Sequence, residues 1–249
     1  MRIQLIRNAT LRVQYGGHLI LVDPFLGAQG SVRSFAGIAP NPTVELPVPV
    51  AEILAGVEMV LVSHLHPDHF DEAAAALLPK GLPLFCQPGD EERIRAHGFT
   101  AVMPITDSHE WQGISLTRTP GQHGSGEWAD RMGQVSGFVW RAAGEPTVYW
   151  MGDTIWYEPV QVVVAQVQPD VIVTHSGGAR FGQDPPIVMD VAMTTAVCQA
   201  APQATVIAVH MEALDHCPVS RAELRQAATE QGISAARLRI PADGEWVAI

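Results

Sequence analysis

Hydrophobic and polar positions alternate, or cluster into short apolar runs, along almost the whole chain. Residues 1–6 alternate as a strand does, and Arg12-Val13-Gln14-Tyr15 and His18-Leu19-Ile20-Leu21-Val22 flank Gly16-Gly17, a dipeptide suited to a hairpin turn. Residues 57–62 read as a buried strand, and Asp71 opens a helix that runs to Leu78, with acids in its first turn. A regular rhythm follows: strand 82–86, a helix from Asp90 to His97 capped by Asp90, and strand 100–105. The second half predicts a hairpin over 111–119 turning at Gly113, strands 135–140 and 147–151, a helix over 160–167 and strand 170–174. A helix over 187–199, strand 204–209, a helix opened by the capping box Ser220-Arg221-Ala222-Glu223 and running to about Gln231, and short strands 236–240 and 245–249 complete it. Periodicity alone gives an α/β chain of one domain, 1–249.

Composition narrows the class. At 249 residues and 47% hydrophobic content a single sizeable core is expected, and no apolar run reaches the roughly 20 residues of a membrane span. No signal-peptide pattern precedes the first strand, and Cys86, Cys198 and Cys217 have neither metal-type nor disulfide-type spacing, so a reducing cytoplasm is the expected setting. A net charge of −11 argues against a nucleic-acid partner, yet leaves room for a small anionic substrate at a metal centre. No membrane partner is expected, and a homo-oligomer is compatible with a metabolic enzyme.

The chemistry concentrates at strand ends. Strand 57–62 runs into Ser63-His64-Leu65-His66-Pro67-Asp68-His69, three histidines and an aspartate within six residues. His64 and His66 point the same way from an extended segment, and Pro67 turns Asp68 and His69 back toward them. Converging nitrogen and carboxylate donors suit a borderline transition metal. Strand 147–151 ends in Gly152-Asp153-Thr154, strand 204–209 ends in His210, and the 111–119 hairpin leads to His123 between glycines. Strands ending at a common edge would bring these side chains together.

The His64-x-His66-x-Asp68-His69 string resembles the signature of the metallo-β-lactamase superfamily, and the wider chain resembles the branch containing the ascorbate-6-phosphate lactonases. The resemblance implies an αββα sandwich and seven metal ligands. His64, His66 and His123 would hold one cation, and Asp68, His69 and His210 another, with Asp153 bridging. It further implies that Asp23 buttresses the site and that His175 lines it or donates a supporting hydrogen bond. Zinc is the first expectation, manganese the second. Two cations ~3.5–4 Å apart would share a water and lower its pKa, giving a hydroxide nucleophile, with Asp68 and Asp153 orienting it or taking its proton.

The expected activity is therefore hydrolysis of a small ester-like bond, in a lactone or a phosphorylated metabolite. A phosphodiesterase or nuclease of the same fold and a metal-binding protein without turnover are the alternatives. Arg180 is the residue expected to grip an anionic group. His216, Trp128 and Arg131 are expected near the substrate, and loop 27–50 is read as a flap, with Phe25, Arg33 and Phe35 as contacts. His97 and His109 are read as structural.

Overall fold

The computed structural model describes residues 1–249. Its first half comprises β1 (Arg2–Arg7), β2 (Thr10–Tyr15), β3 (His18–Val22), α1 (Val50–Leu54), β4 (Met59–Val62), α2 (Glu72–Leu77), β5 (Leu84–Cys86), α3 (Glu91–Ala96) and β6 (Val102–Pro104). Then follow β7 (Ser108–Trp111), β8 (Ile114–Pro120), α4 (Glu127–Met132), β9 (Ser136–Ala142), β10 (Val148–Trp150) and α5 (Glu158–Val167). The chain closes with β11 (Val171–His175), α6 (Val191–Ala200), β12 (Thr205–Val209), α7 (Arg221–Glu230), β13 (Leu238–Arg239) and β14 (Trp246–Ala248).

The strands form two seven-stranded sheets, ordered β14-β1-β2-β3-β4-β5-β6 and β13-β12-β11-β10-β9-β8-β7. The last strand crosses back to the first sheet, pairing Ala248 with Arg2. Alternate residues of the central strands serve two different cores. Met59 and Leu61 of β4 and Val171 and Val173 of β11 meet between the sheets. Val60 and Val62 face the other way, onto Ile53, Ala74 and Ile94 of α1, α2 and α3. Ile172, Val206 and Ala208 likewise pack against Val160, Val197 and Leu224 of α5, α6 and α7. Burial on both faces explains why these strands read as unbroken apolar runs. The layers are helix, sheet, sheet, helix, and no helix is long and apolar enough to cross a membrane.

Strand direction positions the site. β3 and β4 are parallel, with Val22 opposite Leu61. In the second sheet β10, β11 and β12 are parallel, and β8 shares their sense because both β8 and β10 pair antiparallel with β9. The carboxyl ends of all six strands reach one edge of the sandwich, as the shared strand-end chemistry predicted.

Three local expectations require correction. The helix expected from Ile187 starts at Val191, capped by the Asp190 carboxylate, which accepts from Met193 N. Backbone bonds from Ile187 N to Ala179 O and from Gly178 N to Met189 O tie residues 187–189 to the 178–179 segment, outside the helix. Asp90 makes no side-chain cap; its φ of −94° and ψ of −16° are already helical, and its carboxylate accepts from Gln87 Nε2 instead. The hairpin begins at Ser108 rather than Trp111, so His109 lies in β7, its ring packed on Phe85. The capping box at Ser220 and Glu223 forms as expected.

Loop 23–49 is ordered by groups the sequence does not advertise. Arg7 is fully buried, and its guanidinium donates to the carbonyls of Val44, Phe25 and Gly27. Asp71 accepts from Leu26 N and Gly27 N as well as capping α2 through Ala74 N. One carboxylate thus ties the loop's start to the helix following the histidine string.

Candidate metal centre

β4 delivers Ser63 and His64, and the turn beyond it His66, Asp68 and His69, with His69 N and Phe70 N both bonding His66 O. β8 leads to His123, β10 to Asp153, β12 to His210, and β11 ends at His175. His64, Asp68, His69, His123, Asp153, His175 and His210 are all buried, a concentration of polar side chains that desolvation makes costly without a common partner. Two groups of donor atoms converge within 4.8 Å: His64, His66 and His123, and His69, Asp153, His175 and His210. Asp68 adjoins the second, its Oδ2 lying 3.1 Å from His210 Nε2 and 3.4 Å from His69 Nε2.

Asp153 stands between the groups. Its Oδ2 lies 3.2 Å from His69 Nε2, 3.3 Å from His123 Nε2 and 3.9 Å from His64 Nε2. Its Oδ1 is 3.6 Å from His210 Nε2. A single carboxylate therefore faces nitrogens of both sets, the geometry a bridging ligand needs.

Each histidine is aimed by what holds its other nitrogen. His123 Nδ1 donates to Ile187 O at 2.8 Å, because a carbonyl can only accept, which leaves Nε2 with its lone pair toward the centre. His69 Nδ1 bonds Asp23 Oδ2 at 2.7 Å, and Asp23 also accepts from Ser63 N and Ser63 Oγ. Ser63 Oγ also reaches His64 Nδ1 at 2.9 Å. Asp23 and His210 adopt φ of 42° and 60°, left-handed conformations at strand ends that turn their side chains into the site. His64 Nε2 and His69 Nε2 are buried without any hydrogen-bond partner. Unpartnered buried ring nitrogens converging beside a carboxylate fit a bound cation.

His175 is different. Trp150 Nε1 donates to its Nε2 at 3.2 Å, and its Nδ1 lies 2.5 Å from Asp153 Oδ1. Both ring nitrogens are engaged, so His175 supports Asp153 and has no lone pair for a metal.

Charge divides the cluster. Burial, with His69 and His66 nearby, holds the His64 pKa well below its ordinary value, and burial lowers that of His123 to about 4. Burial would lower His69 and His210 too, but Asp153 and Asp68 raise both well above the ordinary range, with Asp23 adding to His69. Asp68 and Asp153 resist the upward push of burial and are held well below the usual carboxylate range, in each case by His69 and His210 among others. The raised values favour protonated His69 and His210 rings beside the carboxylates, and a cation would compete with those protons for the same nitrogens.

A cavity of about 350 Å³ opens onto His66, Asp68, His123 and Asp153, and is otherwise lined by Arg33, Ser34, Phe35, Pro67, Met132, Phe181, Ile187 and His216. His216 stacks on Phe181 with 5.6 Å between ring centroids and meets Phe35 edge-on at 5.2 Å. Trp128 stacks behind Phe181 at 4.6 Å. Arg180 and Arg131 do not line this cavity. Arg180 Nε donates to Gly178 O, and Arg131 pairs with Glu127 on α4 and lies over Trp128. A larger cleft of about 620 Å³ shares Arg33 and Pro67 with it, extends toward Phe70, α3 and His97, and is lined by neither Asp153 nor any of the clustered histidines.

Sequence reasoning passed over Asn8, whose Nδ2 donates to Asp68 O and Oδ2, and Asp215, whose carboxylate collects donors from loop 34–41. Neither lies in a motif. The single available signal was proximity in sequence, Asp215 being next to His216.

Residues 18–211 match the family described as beta-lactamase superfamily domain. The chain is similar to UPF0173 protein YddR of Bacillus subtilis, 38% identical over 98% of both chains. It is similar to the crystal structure of an isothiocyanate hydrolase from Delia radicum gut bacteria, with a TM-score of 0.93 and 37% identity over 100% of this chain and 99% of the other. A possible metal-dependent hydrolase from Veillonella parvula matches with a TM-score of 0.96 and 33% identity over the same shares of the two chains.

Proposed function

We propose, from the premise that this chain belongs to the beta-lactamase superfamily domain family and is a metal-dependent hydrolase, that it holds two divalent cations and hydrolyses a small electrophile bearing an apolar substituent. His64, His66 and His123 would hold one cation, Asp68, His69 and His210 the other, and Asp153 would face both. The histidine-rich donor set favours zinc, with manganese second. When bound there, divalent cations would supply Lewis-acid activation of water near neutral pH.

The chain's own residues do the rest. Asp23, Ile187 O and Ser63 keep the histidine rings aimed, and Asp68 and Asp153 are the carboxylates available to orient water and accept its proton. His216 lines the cavity with its pKa lowered by burial, so it presents a neutral imidazole to the substrate's side. Phe35, Phe181, Met132 and Ile187 exclude water from the substituent's side.

The observation that carries the substrate class is the lining: Arg33 is its one Lys or Arg, and aromatic and aliphatic side chains form the wall facing the histidines. This favours attack at an electrophilic carbon over recognition of a phosphorylated group. An isothiocyanate is the first candidate, supported by the 37% identical isothiocyanate hydrolase. Water would add across its central carbon, and collapse would release an amine and carbonyl sulfide. A lactone or other small ester, attacked at its carbonyl, is the second reading and uses the same residues. The net charge of −11 weighs against a nucleic-acid substrate.

The test is a panel of benzyl and allyl isothiocyanates, lactones, p-nitrophenyl acetate, phosphomonoesters and phosphodiesters, offered to zinc- and manganese-loaded protein with His64→Ala as control. Turnover of an isothiocyanate or ester, lost in the variant, supports the reading. Turnover confined to phosphate esters overturns the substrate class, and a failure to bind metal overturns the centre.

A further inference from the structure

The wall of the cavity is held by one carboxylate. Asp215 Oδ2 accepts from Ser34 Oγ, Ala36 N, Ile38 N and Ala39 N, and Oδ1 accepts from Phe35 N and Asn41 Nδ2. Asp215 N donates back to Asn41 Oδ1 at 2.8 Å. The loop closes on itself through paired bonds between Val32 and Asn41, each 2.7 Å, and is pinned at its far end by Thr43 N to Ala213 O. Successive backbone N–H groups curled round an anion form a nest. Here the chain fills that nest with its own side chain. Asp215 makes no ion pair with any Lys or Arg, so its charge is balanced by loop dipoles; despite partial burial, these donors, Ser34 and Asn41 foremost, hold its pKa well below the usual range.

What the clasp connects gives it meaning. The clasped segment carries Arg33, Ser34 and Phe35 into the cavity wall, while the residue after Asp215 is His216, which lines the same cavity against Phe35. We infer that Asp215 is a positioning residue for substrate specificity: its carboxylate fixes the 33–41 loop so that Phe35 and His216 form one side of the substrate cavity. This rests on reading that cavity as the substrate site. Ordering the eight exposed or half-buried residues 33–40 costs conformational entropy, which a set of hydrogen bonds to one charged acceptor offsets.

The experiment separates this role from damage to the metal centre. Binding of acetohydroxamate and benzohydroxamate to zinc-loaded protein is measured by calorimetry; both present the same chelating end, and only the second carries a ring toward Phe35. In Asp215→Asn, amide exchange at Phe35, Ala36, Ile38 and Ala39 rises at least about ten-fold, zinc content is unchanged, and benzohydroxamate weakens about ten-fold while acetohydroxamate does not. On any substrate turned over, KM rises and kcat holds. Phe35→Ala, which leaves every bond to Asp215 available, weakens benzohydroxamate without faster exchange. Unchanged exchange and affinities in Asp215→Asn, or equal weakening of both hydroxamates, overturns the assignment. If Asp215→Asn does not fold, Phe35→Ala decides: unaltered benzohydroxamate binding overturns it. If neither hydroxamate binds the wild-type protein, the metal-cavity reading fails and the assignment falls with it.

Discussion

Trp150 donates its indole N–H to Nε2 of His175, 3.2 Å away. An indole nitrogen can only donate, so His175 Nε2 must accept, and the neutral ring carries its proton on Nδ1, toward Asp153 Oδ1. The Asp153 carboxylate, which can only accept, asks for the same tautomer, so a buried tryptophan in the inter-sheet core and the carboxylate hold the ring from its two ends and engage Oδ1. Burial keeps His175 neutral by lowering its pKa, consistent with that tautomer.

Trp150→Phe keeps an aromatic ring in the core but leaves His175 Nε2 without its donor, so the ring loses one of its two anchors. We expect metal affinity or turnover to fall about ten-fold, in the range found for partners of ligating groups, and stability to drop about 1 kcal/mol. Nitrogen chemical shifts of the His175 ring, which report the loss of the hydrogen bond at Nε2, check the cause; unchanged shifts with lost activity would count against it.

Asp23→Asn removes the carboxylate that accepts from Ser63 and His69. An amide can present one acceptor oxygen but turns a donor toward the second partner. Zinc affinity should fall about 10- to 100-fold, read by competition with a chromogenic chelator.

The pH dependence has a definite sign. His69 and His210 have folded-state pKa values raised above the ordinary one, so their contribution to metal-free stability is fully present below about pH 6.5 and is lost as pH climbs through the raised values. Cations compete with those same protons. Zinc binding should therefore release protons and tighten by up to about ten-fold per pH unit for each proton displaced, while the metal-free protein loses thermal stability over the same rise. Calorimetry in buffers of different ionisation enthalpy counts the protons.

Arg7→Lys tests the support beneath the loop. Burial lowers the Arg7 pKa to about 10, leaving it charged at neutral pH, and its fork reaches three carbonyls that one ammonium cannot satisfy together. We expect a loss of about 3 kcal/mol in urea unfolding.

The legible parts of this molecule were those with local signatures. The apolar runs of β4, β11 and β12 marked buried strands, and the polar residues at their ends marked an edge, because a desolvated histidine at a strand terminus needs a reason. The His64–His69 string also sits in a single turn, so its convergence follows from chain geometry. Asp215 and Arg7 were invisible for the opposite reason: each acts on backbone groups far away in sequence, and backbone N–H and C=O leave no trace in residue identity. Arg180 and Arg131 were plausible by charge and neighbourhood, yet a two-residue bond to Gly178 and a helical pairing with Glu127 turn them elsewhere. The false start of α6 had a similar origin, since Ile187 and Val188 continue its apolar pattern while backbone bonds tie their segment to residues 178 and 179.

The convergence of strand ends from both sheets has a consequence for assembly. Asp23 and His64 through His69 belong to the first sheet, whereas His123, Asp153, His175 and His210 belong to the second. Neither sheet alone owns a complete set of donors, so a fragment ending between β6 and β7 would carry half a centre and its complement the other half. A cation seated there would act as a rivet across the sandwich, and tight metal uptake would become a signal that the two sheets have closed on one another.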